Sequence, residues 1–181
     1  MIYLSIMEKD SIALIGFMAT GKTTIGKLLA EKLGKEYRFV ETDQFIINDA
    51  GKTIPQIFSD DGEIRFREYE IIACKKASEL TKVVVSCGGG VVLNKINIDY
   101  LKRNCHIVLL KASSEEIFKR AMKDGKESRP VIDKEEPNLE IETVLSFRKP
   151  FYDAAAEIVI DTTDKSIESI VAEILNKTIL L

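Results

Sequence analysis

Residues 11–23 read Ser-Ile-Ala-Leu-Ile-Gly-Phe-Met-Ala-Thr-Gly-Lys-Thr: a continuous apolar run, then a glycine-bracketed turn ending in lysine and threonine. From Lys22 onward, Ile25, Leu28, Leu29 and Leu33 share one stripe, and Gly34 follows. That is an amphipathic helix with a glycine terminator. A strand, then Gly16-x-x-x-x-Gly21-Lys22-Thr23, then a helix is the arrangement that a phosphate chain requires. Glycines let the backbone come close, and N–H groups at the helix start point at the anion. Lys22 is placed for the β- and γ-phosphates and the Thr23 hydroxyl for Mg²⁺. The motif points to nucleoside triphosphate binding and is silent about the acceptor.

Outward from this turn, further strand-like runs cover residues 37–40, 82–87, 106–110 and 157–161. Four of the five runs are nearly continuous in apolar character, as strands buried on both faces are. Helical patterns lie between them at residues 63–80, 139–152 and 166–176. Ser113-Ser-Glu-Glu116 reads as a capping box opening a helix to about Met122. Alternating strands and helices predict an α/β fold with right-handed crossovers. Residues 123–137, KDGKESRPVIDKEEP, break the periodicity and read either as a solvated loop or as a lid.

The 181 residues carry 45% hydrophobic and 30% charged side chains, a globular balance for about one domain. The net charge of −3 gives no basic excess for nucleic acid. The opening Met1–Met7 stretch is apolar but lacks a basic start and gives way to Glu8-Lys9-Asp10. It reads as neither a membrane span nor a signal peptide. Three cysteines and one histidine make no zinc set, and reduced, buried thiols predict a cytoplasmic protein. His106 reads as a core or edge residue.

Four clusters sit where ligands gather in an α/β sheet. Glu41-Thr42-Asp43 sets two carboxylates beside the phosphate turn: one can face a metal's water shell, the other a substrate hydroxyl. Asp43 can equally be a helix N-cap. In Asp61-Gly-Glu63-Ile-Arg65-Phe-Arg67, the two arginines cannot share a helical face. Arg67 and Glu70 form an i,i+3 pair, which is either an oriented fork or a solvated ion pair. Ser86-Cys87-Gly88-Gly89-Gly90 permits close ligand approach at a strand end. In Arg148-Lys149-Pro150-Phe151-Tyr152, Arg148 suits a carboxylate or phosphate, unless it is simply a helix-surface arginine.

Together GFMATGKT, ETD, DGEIRFRxxE, CGGG, SRP and RKPFY resemble shikimate kinase, in that family's order, from Ser11 to about Leu175. The resemblance implies a three-layer α/β sandwich of P-loop type, with a five-stranded parallel sheet in order 2-3-1-4-5. It implies one kinase domain over residues 1–181, with a shikimate-binding helical region at about 43–80 and a lid at about 123–137. The implied reaction moves the γ-phosphoryl of Mg-ATP to the 3-hydroxyl of shikimate, giving shikimate 3-phosphate and ADP, in aromatic amino-acid biosynthesis.

By resemblance, Lys22, Asp43 and Arg129 carry catalysis, Asp43 taking the hydroxyl proton and Arg129 closing over the phosphoryl group. Gly16, Ala19, Thr20, Gly21, Lys22, Thr23, Thr24, Arg120 and Arg129 hold the nucleotide, Arg120 against the adenine. Asp43, Arg67, Glu70, Gly88, Gly89, Gly90 and Arg148 hold shikimate. Thr23 ligates the metal, and Glu41, where the family usually has Asp, reaches it through water. Ala19 replaces a common glycine and is expected to keep a negative φ. The proline usual a few residues after Thr162 is absent. A monomer without nucleic-acid or membrane partners is expected. A gluconate-type kinase and a non-catalytic nucleotide-binding regulator are the competing readings.

Overall fold

The computed structural model describes residues 9–123 and 137–178. Five strands form one sheet: β1 (Ser11–Ile15), β2 (Arg38–Glu41), β3 (Val83–Ser86), β4 (Cys105–Lys111) and β5 (Ile158–Asp161). Every pairing is parallel, and the order is β2-β3-β1-β4-β5, as expected. The helices are α1 (Lys22–Leu33), α2 (Thr42–Ala50), α3 (Ile54–Asp60), α4 (Gly62–Ser78), α5 (Lys95–Leu101), α6 (Ser114–Lys123), α7 (Pro137–Ala155) and α8 (Ile167–Thr178).

Alternation along each strand builds the layers. Ala13, Ile15, Val83, Val85, Ile107 and Leu109 face one side, under Cys74 and Ala77 of α4, Ile98 and Leu101 of α5, and Tyr152 of α7. Ile12, Leu14, Val84, Val108, Leu110 and Ile160 face the other, under Ile25 and Leu29 of α1 and Ile170, Val171 and Ile174 of α8. Burying a side chain such as Leu14 or Leu110 contributes about 1.5–3 kcal/mol. β1, β3 and β4 are covered on both faces, which is why their sequences run apolar without a break. The edge strand β5 alternates buried and exposed residues instead.

The helical region after β2 comprises three helices, α2, α3 and α4. Gly51 takes a left-handed conformation and ends α2. Thr53 then caps α3 in a reciprocal box with Gln56, with Pro55 in the first turn. α5 opens where the Asn94 side chain accepts from the Ile96 N–H. Neither α3 nor α5 is among the helices read from periodicity. At Ser113 only half the expected box forms: its hydroxyl accepts from the Glu116 N–H at 3.2 Å. The Glu116 carboxylate turns away to the Arg120 Nε at 2.7 Å, a stronger charge-assisted partner. Asp43 is not an N-cap, because it is the second residue of α2 and Glu41 holds the cap position.

Cys74, Cys87 and Cys105 are all free and buried. Burial drives the Cys74 and Cys87 thiols well up and Cys105 to about 12, so none supplies a thiolate near neutrality. No helix among the described residues is long and apolar enough to cross a membrane. The loop or lid expected at 123–137, with Arg129, falls outside the described residues except at its two ends.

Candidate functional site

Because β3 and β1 are neighbours, the phosphate turn after β1, the acidic end of β2 and the glycine turn after β3 meet at one edge of the sheet. They enclose a cavity of about 250 Å³, bordered by Met18, Lys22, Thr23, Glu41, Asp43 and Gly88.

Gly16 has φ +144°, and a Cβ there would lie 2.2 Å from the Leu110 carbonyl, so no larger residue fits. Ala19 has φ +57°, contrary to the expected negative value. The left-handed position curls the loop between Gly16 and Gly21, and alanine accepts about 1–2 kcal/mol of strain there. The Lys22 ammonium donates to the Gly16 carbonyl at 2.9 Å and to the Phe17 carbonyl at 2.7 Å, so it lies folded across the loop. Thr20 is buried and ties its hydroxyl to the Phe17 carbonyl at 2.8 Å, which closes the loop on itself. Thr24 is exposed in the first turn of α1.

The Thr23 hydroxyl donates to Glu41 Oε1 at 2.7 Å. A hydroxyl and a carboxylate facing one polar cavity are hard oxygen donors, the type that Mg²⁺ prefers alongside waters and phosphate oxygens. Among the described residues no group of three or more His, Cys, Asp or Glu side chains can hold a metal by itself. The Thr23 hydroxyl and the Glu41 carboxylate are a donor pair that fits an ion whose remaining ligands are waters and phosphate oxygens.

Asp43 projects toward the glycine turn: a Cβ on Gly88 would sit 3.0 Å from its Oδ1. Burial pushes its carboxyl above the usual range, with Lys22 pulling the other way. The Thr42 hydroxyl accepts from the Gly88 N–H at 3.0 Å, which pins this turn to the start of α2.

On α4 the two arginines part as the helical spacing requires. Arg65 pairs outward with Glu68 and stacks on Tyr69. Arg67 turns inward, its Nη1 donating to both oxygens of Glu70 at 3.0 and 3.1 Å. Its Nη2 donates to Glu63 at 3.0 Å. Glu70 is 1% exposed, so the solvated-pair alternative does not hold. Burial raises the Glu70 carboxyl, and Arg67 opposes the shift. Gly90 packs under the fork: a Cβ there would meet Arg67 Nη1 at 2.8 Å.

From α7, Arg148 Nη1 donates to the Gly89 carbonyl at 3.1 Å. Its Nε is buried, with no acceptor among the described residues. It is therefore not a surface arginine. One turn on, the Tyr152 hydroxyl donates to the same Gly89 carbonyl at 2.6 Å. Arg120 is fastened at the other end of the loop. Its Nη1 and Nη2 donate to the Thr162 hydroxyl and carbonyl at 3.1 and 2.8 Å, and Nη1 lies 3.5 Å from the Ala19 carbonyl.

Lys22, Thr23, Glu41, Asp43 and the glycine turn thus converge, with Arg67 and Arg148 on that turn and Arg120 at the margin. Thr42, Tyr152 and Thr162 are the supporting residues that sequence reasoning missed. Thr42 lies inside the ETD motif and Tyr152 inside RKPFY, four residues from Arg148, so these two left a local signal. His106 lies at the start of β4, away from the site, 3.7 Å from Glu157.

The shikimate kinase family profile matches residues 18–179. A shikimate kinase of Caldanaerobacter subterraneus subsp. tengcongensis is 42% identical over 171 residues, 94% of this chain and 97% of that protein. A solved shikimate kinase of Acinetobacter baumannii, in complex with shikimate, superposes with a TM-score of 0.86 at 30% identity, covering 94% of this chain and 93% of that one. A gluconokinase of Sinorhizobium meliloti reaches a TM-score of 0.62 at 16% identity over 95% of this chain and 93% of that one, a likeness of fold alone.

Proposed function

The chain belongs to the shikimate kinase family, and on that premise we propose how its own residues move a phosphoryl group from ATP to shikimate. The observation that carries the reading is the meeting of two arginine forks, Arg67 and Arg148, on one glycine turn beside Lys22 and Asp43. A small polyol acid needs cations for its carboxylate and an acceptor for the proton of its reacting hydroxyl. Arg67 and Arg148 supply the first and Asp43 the second.

In the transfer, Asp43 accepts the proton of the 3-hydroxyl as that oxygen bonds to the γ-phosphorus. The bond from the γ-phosphorus to its bridging oxygen breaks, and ADP leaves. The raised Asp43 carboxyl suits this role, since a base works best when its pKa lies nearer the working pH. Lys22 leaves the Gly16 and Phe17 carbonyls to meet the β- and γ-phosphates. The turn from Gly16 to Gly21, with Ala19, Thr20 and Thr24 at its edges, cradles the phosphate chain. Thr23, with Glu41 through water, would hold Mg²⁺, which would supply charge neutralisation at the phosphates. Arg120 borders the adenine, and Glu70 orients Arg67. For Arg129, in the lid assigned to about 123–137, the support is the SRP motif, and its charge completes the clamp on the transferring group.

The enzyme so described is one kinase domain, with acceptor-binding helices at about 43–80. It serves aromatic amino-acid biosynthesis, in the cytoplasm, where free thiols fit. It is assigned as a monomer, without nucleic-acid or membrane partners.

Arg148→Ala is expected to raise KM for shikimate by about 10–100-fold with a smaller change in kcat, because a carboxylate clamp is largely uniform binding. Steady-state kinetics check it, and unchanged KM and kcat would remove Arg148 from the site. Gly90→Ala is expected to raise the same KM by about ten-fold, since its methyl group displaces the Arg67 fork. KM for ATP should stay put. A wild-type shikimate KM would show that the fork need not lie on the turn.

A further inference from the structure

Asn97, on α5, is a fully buried polar residue. Its amide nitrogen donates to Glu70 Oε2 at 3.2 Å and to the Val91 carbonyl at 3.0 Å. Its Oδ1 has no partner among the described residues. Turning the amide over would set Oδ1 against two acceptors, so the neighbours dictate its orientation. A buried carbonyl without a partner is costly, and packing alone would be served by leucine. The two donated hydrogens are therefore what this position contributes.

Both go to parts of the acceptor site. Glu70 already accepts from Arg67 on one side, and Asn97 holds Oε2 from another, so the carboxylate cannot swing. Val91 is the first residue after the glycine turn, and its N–H donates to the Gly88 carbonyl at 3.1 Å. Gly90, the residue before it, is the floor under the Arg67 fork. One amide thus fixes the carboxylate that aims Arg67 and the end of the turn on which Arg67 rests.

We propose that Asn97 is a positioning residue for shikimate, acting through Glu70 and Val91 to set the Arg67 fork before the substrate arrives. The inference rests on the reading of Arg67 as a carboxylate clamp. Asn97→Leu keeps the volume and removes both donors. Asn97→Ala removes the volume as well, and Asn97→Ser keeps one donor in a smaller side chain. Steady-state KM values for shikimate and ATP, with thermal midpoints, are measured on these variants and on Arg67→Ala.

The expected result is a shikimate KM raised about ten-fold by Leu and by Ala, the effect of losing one hydrogen bond to a charged group. Ser falls between them and wild type, and KM for ATP moves less than about two-fold. Arg67→Ala raises the shikimate KM at least as far. Restoration of wild-type KM by Leu, with loss only in Ala, would assign Asn97 to packing and overturn the proposal. So would a parallel rise in both KM values with a fallen midpoint. Unchanged KM in every Asn97 variant, with a large rise in Arg67→Ala, overturns the proposal and leaves the clamp standing. No rise in Arg67→Ala overturns the clamp and the proposal together.

Discussion

Lys22→Met lowers kcat by about 10²–10⁴-fold, the loss expected when a cation aimed at the developing phosphate charge is removed. That corresponds to roughly 3–5 kcal/mol of barrier. Lys22 now donates to two carbonyls of its own loop, so its charge is held within reach of the anion with little rearrangement. Methionine keeps the length and loses the charge and the donors. The phosphate turn does not depend on lysine for its shape, because Gly16 and the bond from Thr20 to the Phe17 carbonyl set it. The variant should therefore fold and still bind shikimate. Single-turnover phosphoryl transfer checks the prediction, and turnover within a few-fold of wild type would sink the phosphate-site assignment.

Asp43→Asn lowers kcat by about 10²–10⁴-fold as well, the range for losing a positioned general base. The amide keeps the shape and cannot take the proton. The pH dependence separates this from a general disturbance. Asp43 must be ionised to act, and burial raises its pKa, so wild-type activity falls as pH drops through a value above the ordinary aspartate range. In Asp43→Asn that acidic limb disappears.

Stability moves the other way. A carboxyl whose pKa is higher folded than unfolded binds more protons in the folded state, so it destabilises the fold as pH rises through that window. Above the ordinary aspartate range Asp43 carries this cost, and asparagine relieves it. The thermal midpoint of Asp43→Asn at pH 7 should match or exceed wild type. A fallen midpoint together with lost activity would point to structural damage instead.

What the sequence disclosed depended on whether the signal was local. The phosphate turn and α1 were legible because strand, glycines, lysine and helix stripe lie within 23 consecutive residues, 11–33. The continuous apolar runs of β1, β3 and β4 were legible because both faces are covered. The division of the region after β2 was written in Gly51 and in Thr53-Ile-Pro-Gln56, but the apolar spacing on either side obscured it. α5 is seven residues long, too short to show a period. The left-handed Ala19 was not legible, since its conformation is imposed by the loop and not chosen by alanine.

Contacts between distant residues left no trace. Thr42 meets Gly88 across 46 positions, Tyr152 meets Gly89 across 63, and Arg120 meets Thr162 across 42. Each joins a polar side chain to a backbone or side chain that only the fold brings near. The acceptor site shows the same division. Arg67 and Glu70 could be paired from helical spacing, whereas the burial that makes the pair an oriented fork comes from the packing of α4 against its neighbours.

The most direct test of the account is a coupled ADP-release assay with Mg-ATP in three parallel reactions, one with shikimate, one with gluconate and one with no acceptor. ADP release is expected to depend on shikimate, with gluconate at the level of the acceptor-free reaction. Release with gluconate alone, or equal release in all three, would contradict it.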